Sequence, residues 1–76
     1  MIQFDPIQHL ANAIIVQAAE DYREALEGGA PRGKVPEAVI SECERFFRSD
    51  WFLVLTEMDG EILMEKIRNE VKRRNP

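Results

Sequence analysis

The chain reads as all-α: a small helical bundle of three main helices plus one short aromatic helix. Three observations predict this. Apolar residues recur at three- and four-residue intervals from Ile7 to Leu26, the spacing of one helix face. Helix punctuation recurs too, with Pro6 and Pro36 at helix starts and Gly28-Gly29 at a helix end. Finally, no segment reads as a strand that could pair with the most apolar stretch, Phe46-Phe47-Arg48-Ser49-Asp50-Trp51-Phe52-Leu53-Val54-Leu55. That stretch holds three of the four phenylalanines and the sole tryptophan. Large aromatics remove so much apolar area from water that this run should form the middle of the core, with the other helices covering it.

The first helix spans about residues 6–27. Asp5 is a favoured N-cap, Pro6 suits the first helical position, and Gln8 completes a capping-box-like pattern. Its apolar face runs through Ile7, Leu10, Ala11, Ile14, Ile15, Ala18, Tyr22, Ala25 and Leu26, opposite Gln17, Glu20, Arg23, Glu24 and Glu27. Residues 28–35 form a loop by their glycine and proline content.

The second helix, about 36–48, starts at Pro36 with Glu37 favourably placed in its first turn. Val39, Ile40, Cys43, Phe46 and Phe47 make its apolar face, and Glu42, Glu44, Arg45 and Arg48 face water. Ser49-Asp50 caps a short helix over 50–55, although five apolar residues in a row also fit a buried strand. Thr56 is the expected N-cap of the last helix, about 57–74, with a stripe of Ile62, Leu63, Ile67 and Val71. Gly60 costs such a helix about 1 kcal/mol relative to Ala, or it marks a turn with the helix starting at Glu61.

At 76 residues the chain is one domain. A domain of this size buries only about 60% of its unfolded surface and is marginal unless something is added, commonly oligomerisation. Little room remains for a deep substrate pocket beside a full core. The net charge of −4 lacks the basic footprint of a nucleic-acid binder, except in residues 61–76, where five cations stand against three acids. One cysteine permits no internal disulfide, and no run of about 18 apolar residues provides a membrane span. The N-terminus has no basic start of a signal peptide, so the expected location is the cytoplasm.

Four candidate motifs fail on chemistry. Gly28-Gly29-Ala30-Pro31-Arg32-Gly33-Lys34 matches the spacing of a phosphate loop. However, a helix precedes it, Pro31 removes an N–H, and Val35 stands where a Mg²⁺-binding hydroxyl belongs. Glu57, Asp59 and Gly60 fit part of a calcium loop, yet the first and twelfth ligand positions are Leu55 and Lys66. His9 has no partner at metal or catalytic spacing, and Cys43 falls on an apolar face. No metal or cofactor is expected, and no enzyme.

Two stretches carry a resemblance. Leu10-Ala11-Asn12-Ala13-Ile14-Ile15-Val16-Gln17-Ala18-Ala19-Glu20-Asp21-Tyr22-Arg23-Glu24-Ala25-Leu26 is one, and Glu44 to Thr56, running on through Asp59-Gly60-Glu61 to Ile67, is the other. Together they resemble small proteins of phages, prophages and integrative elements of Gram-positive bacteria, a family with no assigned activity. The resemblance implies a genomic setting, an accessory gene of a mobile element, and transfers no functional residue.

The expected function is therefore a non-catalytic interaction protein that binds a protein partner or itself, with Trp51 and Phe52 as anchors and Tyr22 nearby. An alternative is an inhibitor of a host defence system, anti-CRISPR-like, whose acidic faces mimic nucleic acid. Arg23, Arg45 and Arg48 interrupt that acidity. A third is a small nucleic-acid binder using Arg68, Lys72, Arg73 and Arg74. Whether Trp51 to Leu55 is core or exposed patch depends on how far the other helices cover it.

Overall fold

A computed structural model describes residues 6–30 and 33–74. Four helices follow in order: α1 (Pro6–Leu26), α2 (Pro36–Phe47), α3 (Asp50–Leu55) and α4 (Gly60–Arg74). The described residues contain no strand, so the aromatic run is helix. α1 packs along both α2 and α4 and touches α3, and α2 also packs on α3 and α4. The Asp5 cap and the Pro31-Arg32 part of the phosphate-loop pattern lie outside the described residues.

Local chemistry explains most boundaries. α1 ends in a Schellman arrangement: the Gly28 N–H donates to the Ala25 carbonyl at 3.0 Å and the Gly29 N–H to Glu24 at 2.9 Å. Gly28 adopts φ +95°, a conformation open to glycine at little cost. Pro36 begins α2 and Glu37 sits in its first turn. Ser49 joins α2 to α3 by both sides of its hydroxyl. It donates to the Phe46 carbonyl at 2.6 Å and accepts from the Phe52 N–H at 3.2 Å.

The start of α4 differs from expectation. Thr56 ends α3, its N–H donating to the Phe52 carbonyl, and its hydroxyl accepts from the Met58 N–H. Asp59 is the N-cap, accepting from the N–H groups of Glu61 at 2.9 Å and Ile62 at 3.3 Å. Helix therefore begins at Gly60 rather than 57. Gly60 is buried, and a Cβ there would lie 2.0 Å from the Phe47 carbonyl oxygen. The residue lets the head of α4 rest against the tail of α2, a tertiary requirement that outweighs its helix propensity.

The core gathers Ile15, Tyr22 and Ala25 from α1 with Val39, Cys43 and Phe47 from α2. Phe52 from α3 and Met64 and Ile67 from α4 complete it. Phe47 stands edge-on to both Tyr22 (centroids 5.7 Å apart, 71°) and Phe52 (5.6 Å, 86°), the geometry aromatic quadrupoles favour. On α4 the inward residues are Gly60, Met64, Ile67 and Val71, whereas Ile62 is half exposed. The expected stripe missed Met64, although its spacing from Gly60, Ile67 and Val71 is that of one helix face.

Candidate interaction surface

α1 has 21 residues, α2 has 12 and α4 has 15. At about 1.5 Å per residue, α1 outruns its neighbours by roughly 9–14 Å. Among the described residues, its first turns extend beyond α2 and α4 and have the six-residue α3 beside them. The helix keeps its apolar spacing along that overhang, so Ile7 is 81% exposed and Leu10 62%. Both lie on the apolar face expected from the sequence, and both are exposed.

α3 divides its own aromatic run. Its Ser49 cap turns Phe52 fully into the core. Trp51 is left 58% exposed, and Leu53 and Val54 are more exposed still. Trp51, Val54 and Leu55 then face Ile7, Leu10 and Ile14 across an open groove of about 310 Å³. A second groove, of about 420 Å³, continues from Ile14 past Ala13, Gln17, Ala18 and Asp21 to Phe46 on α2. Of the nine exposed large apolar side chains among the described residues, four (Ile7, Leu10, Trp51 and Val54) line the first groove.

The first groove, between α1 and α3, is also lined by no charged side chain. From Pro6 to Ala19 the chain has no Asp, Glu, Lys or Arg, and Trp51 to Thr56 has none either. The charges lie elsewhere, and many are paired. The Tyr22 hydroxyl, fully buried with its ring, donates to Glu44 Oε2 at 2.8 Å and accepts from Arg68 Nη1 at 3.1 Å. Arg68 and Glu44 themselves approach to 3.8 Å. Arg48 pairs with both Glu44 and Glu61, tying α2 to α4. Burial, then the hydrogen bond to Glu44, holds the Tyr22 phenol above its ordinary pKa of 10.0. Glu44 is thus part of a three-helix hydrogen-bond network rather than a water-facing charge.

The expected anchors are separated by the fold. Trp51 lies on the surface, but Phe52 and Tyr22 are completely buried and offer nothing to a partner. Beside Trp51, Ile7, Leu10 and Val54 are exposed around the groove. The basic residues of α4 differ in their partners. Arg68 is committed to Tyr22 and Glu44, and Arg74 pairs with Glu70, leaving Lys72 and Arg73 exposed. Of the acids, Glu42 pairs with Lys34, and Glu70 pairs with Arg23 as well as Arg74.

Cys43 is a buried thiol within 3.7 Å of the Ala18 carbonyl, to which it donates. Burial, aided by the nearby Asp21 and Glu42 charges, raises its pKa above 9.0 and keeps it protonated. Such a thiol packs as a small hydrophobe rather than acting as a nucleophile. Among the described residues no three His, Cys, Asp or Glu side chains gather to hold a metal ion, and no helix is long and apolar enough to cross a membrane. No protein-family model, curated protein or solved structure matches the chain.

Proposed function

We propose that this protein is a non-catalytic interaction module that associates with a second copy of itself through the α1–α3 surface. One observation carries the reading: Trp51, Val54, Ile7 and Leu10 stand exposed together around one groove. Large apolar side chains clustered on a small protein, with tryptophan among them, are characteristic of interface centres. The size of the chain supports the same conclusion. A small core benefits from the extra apolar burial that association supplies. The likeness of residues 10–26 and 44–67 to small phage and integrative-element proteins supports an accessory role on a mobile element.

The sole tryptophan is its own reporter. Its emission should be that of a solvated indole in dilute solution and move to the blue as protein concentration rises, with helical circular dichroism unchanged. Emission that is independent of concentration up to the millimolar range would refute self-association through Trp51.

A further inference from the structure

Resting on that reading, we infer that the assembly is a closed two-fold dimer in which each copy lays Trp51 into the α1–α3 groove of the other. Three observations carry this. The first is charge. Each copy carries −4, so two copies approaching at random repel. The uncharged segments 6–19 and 51–56 form the face on which that repulsion is least and desolvation costs no ion its water. An uncharged face is complementary to its like, and not to a strongly acidic or basic partner.

The second is shape. The groove offers a receptor and the exposed indole offers a filling on the same patch. A patch holding both halves of a contact is satisfied by a two-fold axis, where residue i meets j and j meets i. The other grooves that hold exposed apolar residues are charged. Val16 borders a groove with Glu20, Arg23 and Glu70, and Met58 one with Arg48, Glu57, Asp59 and Glu61. A head-to-tail chain would need a second, equivalent face.

The third is area. Taking roughly 150–250 Å² for each large side chain, the exposed fractions of Ile7, Leu10, Trp51 and Val54 come to about 500 Å² per copy. Full burial of these side chains in both copies would remove about 1,000 Å², the threshold for a biological contact and the size of a weak, reversible one.

Sedimentation velocity over a wide concentration range, at low and at about 0.5 M salt, tests the inference. The expected result is a mass that rises from 8.8 kDa to twice that value and stops, with a midpoint unchanged or lower in salt. Leu10→Glu, which places an acid on the uncharged face without touching the core, should hold the chain as a monomer. A mass that never leaves one chain overturns both self-association and the dimer. A mass that climbs past two chains overturns the two-fold closure and leaves self-association standing. A dimer that dissociates in salt, or that Leu10→Glu leaves intact, places the contact on charged faces and overturns the assignment to this groove.

Discussion

Gly60→Ala sets two physical effects against each other. By helix propensity alone, alanine in place of glycine near a helix start stabilises by up to about 1 kcal/mol. The tertiary structure demands the opposite. The new Cβ would lie 2.0 Å from the Phe47 carbonyl oxygen and 3.0 Å from its carbon, both backbone atoms that no rotamer change can move. Restoring ordinary contact requires the head of α4 and the tail of α2 to part by more than an ångström. Phe47 and Met64 are core residues on those two helices, so the movement opens the core. Overpacking of this kind costs about 1–3 kcal/mol and sometimes more; a clash with two backbone atoms belongs at the upper value, so after the propensity gain the net expected loss is about 2 kcal/mol. With a urea m-value of about 1 kcal/mol/M for a chain this small, the midpoint should fall by about 2 M. Gly28→Ala is the control. A Cβ at Gly28 meets nothing within 4 Å, so only the cost of φ +95° remains, about 1 kcal/mol. A Gly60→Ala midpoint equal to or above wild type would refute the close approach of α4 to Phe47.

Other consequences follow from the same packing. Tyr22→Phe removes the hydroxyl shared by Glu44 and Arg68 but leaves those two able to pair, so urea unfolding should show a loss of about 1–2 kcal/mol; an unchanged midpoint would mean the network contributes nothing. Phe52→Ala empties a fully buried site and should cost about 3–5 kcal/mol, enough to unfold much of the population. Ile62→Ala, at a half-exposed site, should stay within about 0.5 kcal/mol, and equal effects of the two would contradict the inward face assigned to α3 and α4. Both Cys43 and Tyr22 have pKa values raised above their ordinary 9.0 and 10.0. The folded chain therefore holds these protons more tightly than the unfolded chain, and their contribution is complete below pH 9.0 and lost as pH rises through the folded values. The urea midpoint should decline from about pH 9 upward, more shallowly above pH 10 in Tyr22→Phe, and a rising midpoint there would contradict the burial of both groups.

Local rules made much of the fold legible in the sequence. Gly28-Gly29, Pro36 and Ser49 mark their helix ends because caps and turns depend on residues only a few positions apart. What the sequence withheld depends on distant partners. Periodicity identifies the apolar face of α1 but not how far α2 and α4 run along it, so the exposure of Ile7 and Leu10 cannot be read from their spacing. A six-residue helix has too few turns for periodicity to distinguish Trp51 from Phe52. The role of Gly60 requires the position of the Phe47 carbonyl, and the Tyr22–Glu44–Arg68 network joins residues 22 and 46 positions apart. One available signal was overlooked: the absence of charge from Pro6 to Ala19, unusual for a helix that would otherwise need a solvated side along its whole length.

The most direct test of the central claim is light scattering after size exclusion on the wild type and on Trp51→Ala. Trp51 is exposed in the single chain, so its removal should leave the fold and its circular dichroism intact. The account predicts a wild-type mass above 8.8 kDa at high concentration and a folded Trp51→Ala monomer under the same conditions. A wild type that remains monomeric while Trp51→Ala unfolds would contradict it, because Trp51 would then be part of the core.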